Sequence, residues 1–206
     1  MPAVAPFEII AGPVEVWRAA VGSTFTDVSQ TPASPWVKVG TSGSKNIREE
    51  GVTVRHMQEV ELDAFRMVGT TGPRGAVRTS EQFEIEFELA DLKATEYANM
   101  LNGPDHVITT VAAGTLIGGQ KTMNIQRGFQ VNRVALIIRG TNLSPEPVSE
   151  ASSFNIQYQV PIAAQVGEPE VVYFKGGPAA LRFRYVCIEH DTLGFGKFII
   201  QTAAPS

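Results

Sequence analysis

Apolar and polar residues alternate with a period of two along much of the chain, most clearly in residues 82–89. Aromatic and aliphatic residues occupy every second position there, and Glu84, Glu86 and Glu88 stand between them. This period is typical of β-strands with one buried face. Further strand-like runs, bounded by Gly, Pro, Asn or Ser, are 14–21, 36–39, 52–62, 129–138, 154–166, 171–174, 181–188 and 195–201. Eight or nine strands in one domain over 1–206 predict a mainly β fold, a β-sandwich or partial barrel.

The remaining segments predict one flanking helix and two loops. In residues 91–102 apolar residues recur at helical spacing, at Ala94, Tyr97, Ala98 and Leu101. Asp91 is expected to cap this helix, and Gly103-Pro104 to end it, because Gly tolerates the left-handed conformation and Pro cannot continue a helix. Residues 22–35 and 141–153 are rich in loop-forming residues and predict loops.

The segment 41–79 differs from the rest of the chain. Two turn-forming stretches, 41–45 and 69–75, enclose a long strand-like run over 52–65. That run is too long and too polar to lie wholly inside one compact core. We therefore predict an extended hairpin arm over 41–79.

Composition and charge exclude several classes of protein. Hydrophobic residues make up 43% and charged residues 18%, which suffices for a core and is too little charge for disorder. A net charge of −4 argues against a protein that grips nucleic acid through its phosphates. The single Cys187 excludes an internal disulfide and predicts a small core residue. Without a signal-peptide pattern or a long apolar run, we expect a soluble protein with no membrane partner.

Candidate catalytic motifs are few, and each has a simpler structural interpretation. His56, His106 and His190 form no local metal-ligand motif, so no metal or cofactor is predicted. Ser42-Gly43-Ser44-Lys45 matches the S-x-x-K pattern of serine acyl-transfer enzymes, but it lies in a turn without the companion motifs. The glycines of Gly194-Phe195-Gly196-Lys197 lack phosphate-loop spacing and are expected to mark a bulge or a close backbone approach. The chain is therefore predicted not to be an enzyme.

Two sets of carboxylates on predicted strands admit three interpretations. The sets are Glu84, Glu86 and Glu88 on one strand and Glu59, Glu61 and Asp63 on another. A carboxylate from each strand could act as acid and base, as in glycosidases. Alternatively, the carboxylates form an ordinary solvated sheet face, or a repeated negative charge that faces a polyanion. The sequence alone leaves these interpretations open.

A set of local patterns follows a fixed order over residues 45–103. It comprises an acidic turn and Gly51-Val52-Thr53-Val54, an arm ending Thr70-Thr71-Gly72-Pro73, Ala76-Val77-Arg78-Thr79-Ser80-Glu81, the alternating strand, Ala90-Asp91-Leu92 and the helix through Leu101-Asn102-Gly103. Together with the first strands, Gly12–Trp17 and Trp36–Gly40, these patterns resemble the major tail tube proteins of long-tailed bacteriophages with non-contractile tails. Beyond about residue 104 the resemblance rests on strand count and length.

The resemblance implies a structural, self-assembling protomer with a β-sandwich and one flanking helix. Six protomers would form a ring, and stacked rings would form a hollow tube around the tape-measure protein. The partners implied are other copies of the chain, the tape-measure protein, the tail tip and terminator proteins, and viral DNA in transit without tight binding. The implied location is the tail of the virion, assembled in the cytoplasm of the bacterial host.

Two surfaces would carry this function. The arm would connect protomers through the apolar anchors Val52, Val54, Phe65 and Met67 and the polar anchors Arg74 and Arg78. The acidic face of Glu84, Glu86 and Glu88 would line the lumen, where carboxylates repel phosphates. Reversing these three charges to lysine is expected to leave the fold intact and to slow or block DNA ejection.

Two alternatives remain at this point. A tail terminator or a secretion-system tube subunit would share the sandwich-plus-helix plan, although the long arm favours a stacking tube. A monomeric β-barrel that binds a small ligand in its mouth belongs to a different class. Size exclusion distinguishes the last class, because a monomer at all concentrations favours the ligand-binding barrel, whereas rings or tubes favour the tube subunit.

Overall fold

The computed structural model describes residues 9–40, 47–63, 75–90, 93–101, 107–115, 118–125, 130–143, 154–167, 170–172, 175 and 180–201. Within these residues the elements are β1 (Ile9–Ala20), β2 (Val37–Lys38), β3 (Ile47–Asp63), β4 (Gly75–Leu89), α1 (Ala94–Leu101), β5 (Ile108–Val111), β6 (Gln120–Met123), β7 (Arg133–Leu143), β8 (Phe154–Gln165), β9 (Val171–Val172), β10 (Ala180–Cys187) and β11 (Lys197–Ile200). The prediction of a mainly β fold with one flanking helix is confirmed.

A nine-stranded antiparallel sheet forms the body and curls into a half-barrel. Its order is β2-β1-β7-β8-β10-β4-β3, with β11 paired to β8 and β9 paired to β10. Val16 of β1 and Val54 of β3 belong to one hydrophobic core although their strands lie near opposite ends of this order. The sheet must therefore curl around that core, as in the predicted partial barrel. Strands β5 and β6 form a separate hairpin.

The main core lies on the inner face of this sheet. Ile85, Phe87 and Leu89 of β4 are buried there, as their alternation with the glutamates predicts. Phe87 stacks on Phe183 of β10, with ring centroids 5.1 Å apart and planes 8° apart. Burial of such large side chains from adjacent strands is the main force that holds the two strands together.

Helix α1 confirms the predicted helix, but its buried face differs from the predicted stripe. Met100 is buried in the core and Tyr97 packs against it, whereas Ala94 and Leu101 are half-buried. Glu96 is buried because its carboxylate accepts hydrogen bonds from the Gly40 backbone N–H and the Asn99 side chain. A hydrogen-bonded carboxylate can be buried at low cost, which apolar periodicity does not reveal. The predicted caps, Asp91 and residues 103–104, lie outside the described residues.

The predicted loop 22–35 covers part of the outer face of the sheet. Trp36, at the end of this loop, packs against Ile137 of β7 in a second apolar cluster. Two glutamine side chains of β8, Gln157 and Gln159, donate hydrogen bonds to the Thr26 carbonyl oxygen at 2.8 and 3.2 Å. The loop therefore covers the outer face of β7 and β8, whereas exposed side chains stand on the outer face of β10, β4 and β3.

Two differences from the predicted elements concern short or polar segments. Strands β5 and β6 were not predicted, because four mostly exposed residues in each are too few to show a period. Strand β7 continues through residues 141–143, which were predicted to begin a loop. The remainder of that loop, 144–153, lies outside the described residues.

The predicted role of the glycines near the C-terminus is confirmed. Gly194 has a φ of 60° and forms a β-bridge with His190. Gly196 has a φ of 148°, and a Cβ at this position would overlap the backbone carbonyl oxygen of Gln159. Gly196 thus permits the close approach of β11 to β8.

Cys187 lies in the core, as predicted, and is 3% exposed. Burial raises the pKa of its thiol to about 12 from an ordinary value of 9.0. At pH 8 the thiolate is therefore roughly a thousandfold rarer than for an exposed cysteine. We expect iodoacetamide to label the native protein far more slowly than the guanidinium-unfolded protein, as measured by intact mass. Equal labelling rates would contradict this placement.

Candidate interaction surfaces

Strands β3 and β4 continue beyond the body of the sheet as a two-stranded ribbon. Residues 84–89 of β4 pair with β10. Residues 75–83 of β4 pair only with β3 within the described structure. The pairing continues to Asp63 opposite Gly75. Strands β3 and β4 therefore form the antiparallel pair of the predicted hairpin, and residues 64–74 lie outside the described residues.

The predicted apolar contact residues of the arm occupy different environments. Val52 and Val54 are half-buried and pack against the core of their own chain. Their side chains are thus largely used within the protomer, and their positions give no support to a contact between subunits. Phe65, Met67 and Arg74 lie outside the described residues, so their roles stay predictions.

The exposed part of the ribbon carries apolar residues that sequence reasoning missed. Met57, Val60 and Val77 are 41%, 49% and 60% exposed. Arg78, a predicted anchor, is also exposed, and its guanidinium lies 2.8 Å from the Glu81 carboxylate. Both faces of the ribbon are open to solvent, so a period of two could not show which apolar residues remain uncovered. Met57 and Val60 lie on opposite faces of the ribbon, so both faces carry exposed apolar side chains that neighbouring chains could cover.

An aromatic cavity of about 290 Å³ lies between the base of the ribbon and β11. Phe83, Tyr158 and Phe198 line it, with the Tyr158 and Phe198 ring centroids 4.5 Å apart. The His56 ring also lines it, and its Nε2 lies 2.8 Å from the Glu81 carboxylate. The cavity could hold a small apolar group, although its volume is at the lower end for ligand pockets, roughly 300 Å³.

The three glutamates of β4 share the outer face of the sheet, as predicted, but each is paired with an arginine from an adjacent strand. The nitrogen–oxygen distances are 2.6 Å for Arg184–Glu84, 3.3 Å for Arg55–Glu86 and 2.8 Å for Arg182–Glu88. Arg48 makes a further pair with Glu88 at 3.2 Å. The hydrogen bond to Glu88 also raises the pKa of Arg182. These pairs hold arginine side chains of β3 and β10 against the carboxylates of β4.

The arginines lie outside the carboxylates. The Glu84, Glu86 and Glu88 side chains are 3%, 27% and 18% exposed. Their partners Arg184, Arg55 and Arg182 are 47%, 54% and 57% exposed. We call these three side chains the arginine layer. The surface presented to solvent therefore consists of guanidinium groups with carboxylates beneath them.

This arrangement corrects the electrostatic premise of the acidic-face prediction. Each of the three glutamates of β4 pairs with an arginine of β3 or β10, and Glu170 also acts on Arg182. Within the described residues these three glutamates are therefore ion-paired rather than an open acidic surface. The sequence did carry a signal, since Arg182 and Arg184 alternate with Phe183 and Tyr185. Which strands would lie beside the glutamates was not evident from the sequence.

The described residues contain no group of three or more His, Cys, Asp or Glu side chains placed to hold a metal ion. His190 contacts Thr192 through its ring nitrogen, and Glu59 accepts a hydrogen bond from Ser80. His106 and the S-x-x-K segment lie outside this part of the chain.

No helix among the described residues is both long and apolar enough to span a bilayer.

Comparison with models of protein families finds no match, and comparison with curated proteins finds no significant relative. The class of this protein is therefore defined by its architecture. It is a mainly β protein with a curled sheet, one flanking helix and a β-ribbon that continues past its neighbouring strand.

Proposed function

We propose that the chain is a structural subunit that assembles with copies of itself into the tail tube of a bacteriophage. The observation that carries this proposal is the ribbon of β3 and β4, on which Met57, Val60 and Val77 are exposed. A monomer leaves these apolar side chains in water, whereas a neighbouring copy would bury them. The patterns in residues 45–103 support the tail tube among possible assemblies.

The sheet supports such an assembly in a second way. A closed ring needs a head-to-tail interface, and stacking needs a second interface that does not close. Strands β2 and β3 end the order of the sheet, so each has an edge without a partner among the described residues. Unpaired edges accept strands of neighbouring copies. In this proposal the edges serve the ring and the ribbon serves the stack.

The other partners follow from the proposed tube. They are the tape-measure protein inside it, the tip and terminator proteins at its ends, and viral DNA in transit. The subunit would be assembled in the bacterial cytoplasm and would act in the virion. It would have no enzymatic role.

Serine substitution of the exposed apolar residues tests the proposal. We expect the wild-type protein to form rings or tubes in negative-stain micrographs, with crowding agent or high salt where needed. The triple variant Met57→Ser, Val60→Ser, Val77→Ser should remain at subunit mass in sedimentation, because the buried apolar area that drives stacking is lost.

The matched control replaces exposed apolar residues elsewhere, Val107→Ser, Ile125→Ser and Val131→Ser. This variant should assemble like the wild type. Normal tubes from the ribbon variant would contradict the role of the ribbon. A wild-type protein that stays monomeric at every concentration, also under crowding and high salt, would contradict the tube.

A second candidate function is favoured by the aromatic cavity at the base of the ribbon. A monomer could bind a small apolar ligand there, between Phe83 and Phe198. Saturable binding of one apolar fluorophore per chain, lost in Phe83→Ala, together with a permanent monomer, would favour this function over the tube.

A further inference from the structure

The arginine layer has a regular geometry. The guanidinium groups of Arg184, Arg55 and Arg182 pair with Glu84, Glu86 and Glu88, which occupy successive outward positions of β4 roughly 6.6 Å apart. Consecutive phosphates of one DNA strand lie about 7 Å apart, because the strand advances roughly 3.4 Å along the axis and also turns around it at each step. Neighbouring guanidinium groups are therefore spaced to meet consecutive phosphates of one strand.

Each guanidinium of the layer keeps donors for an outer partner. Arg184 uses Nη2 for Glu84, Arg55 uses Nη1 for Glu86, and Arg182 uses Nε and Nη2 for Glu88. A guanidinium has five N–H donors, and its planar fork matches phosphate oxygens. Because the carboxylates beneath already hold these side chains, little side-chain entropy remains to be lost on binding a phosphate.

We propose that the arginine layer is a weak contact surface for the phosphates of duplex DNA. This inference rests on the proposed function, in which DNA passes the subunit. The paired carboxylates cancel most of the positive potential, so the contact would be weak and would not hold a moving genome. It replaces the predicted repulsion by carboxylates with a shallow attraction through arginine.

An acidic protein segment is the competing partner, and the chemistry of the face favours phosphate. The positions that the arginines enclose are Glu84, Glu86 and Thr53, all polar. Protein interfaces usually have an apolar centre, whereas nucleic-acid contacts are made largely by charged and polar groups. A row of arginines without an apolar centre therefore fits a polyanion better.

Fluorescence anisotropy of a labelled duplex of about 30 base pairs, with unassembled protein at several salt concentrations, tests this inference. The main variant is Arg55→Gln with Arg182→Gln, which keeps the pair between the buried Glu84 and Arg184. We expect weak wild-type binding, and we expect the slope of log K against log salt to fall by about 1.8 in the variant, about 0.9 per lost phosphate contact. Glu86→Gln, which removes the carboxylate between Arg55 and Arg182, should bind the duplex several-fold more tightly.

The control Lys121→Gln with Arg133→Gln removes the same charge from exposed positions elsewhere and should keep the wild-type slope. Equal slopes in the two double variants, or no binding even by Glu86→Gln, would overturn the inference. Stronger competition by poly-glutamate than by unlabelled duplex would favour an acidic protein partner and also overturn it.

Micrographs of assembly are scored separately. Tubes without DNA binding would refute only the arginine contact, and DNA binding without assembly would refute only the tube.

Discussion

Glu84→Lys is expected to destabilise the protein severely. The Glu84 side chain is 3% exposed, its carboxylate lies 2.6 Å from the Arg184 guanidinium, and it accepts a hydrogen bond from Gln82. Lysine would remove both interactions and place a second cation in a buried position beside Arg184. An uncompensated ammonium group in this buried position costs several kcal/mol, a large part of the stability of a typical domain. Urea denaturation followed by circular dichroism measures the loss.

Two variants locate the cause of this effect. Glu59→Lys reverses a charge on the exposed ribbon, where the cost of a surface substitution is about 0.5 kcal/mol. Glu84→Gln keeps the shape and one acceptor for Arg184, and should lie between the two lysine variants. A Glu84→Lys protein as stable as Glu59→Lys would show that the carboxylate is not needed under the arginine.

This result would also revise an expectation drawn from the sequence. Reversal of Glu84, Glu86 and Glu88 to lysine was expected to leave the fold intact, because a solvated acidic face tolerates new charges. The structure places arginines from β3 and β10 over that face. The triple variant is therefore unsuited to a test of DNA ejection, since loss of folding would produce the same defect.

The fold was predictable where a local pattern determines it. Residues 82–89 alternate cleanly, so the buried face of β4 could be assigned from the sequence. The pairing of β4 with β10 could not, because the partners Glu86 and Arg184 are about a hundred residues apart in sequence and meet only when the sheet closes. The hairpin of β3 and β4 joins two segments that are close in sequence. It was therefore predictable from a local pattern, as the buried face of β4 was.

Buried polar groups account for most of the remaining differences. Gln157 is buried because a loop carbonyl oxygen, that of Thr26, accepts its amide hydrogen, and Glu96 is buried because Gly40 and Asn99 donate to it. The burial of each side chain depends on a hydrogen-bond partner from another part of the chain, and the hydrophobic periodicity of the sequence does not reveal that partner. The candidate surfaces show the same limit, since the positions of the glutamates were predictable and their arginine cover was not.

Gly196→Ala is expected to detach β11 from the sheet. Its φ of 148° is one that side chains rarely adopt, and a Cβ would overlap the Gln159 carbonyl oxygen, which belongs to backbone and cannot rotate away. Relief requires moving β11, which pairs with β8 from Lys197 to Ile200 and carries Phe198 against Tyr158. Strained backbone costs about 1–3 kcal/mol before the lost packing is added.

Gly194→Ala is the matched control for this prediction, because the same turn holds Gly194 at a φ of 60° with open space around its Cβ position. It should cost about 1 kcal/mol, the usual penalty for a left-handed alanine. Urea midpoints give the two stabilities, and near-ultraviolet circular dichroism reports the aromatic packing of Tyr158. We expect that signal to change in Gly196→Ala and to be preserved in Gly194→Ala. Equal midpoints and equal spectra would mean that β11 does not depend on the close approach at Gly196, because both variants add the same methyl group and differ in the backbone that it meets.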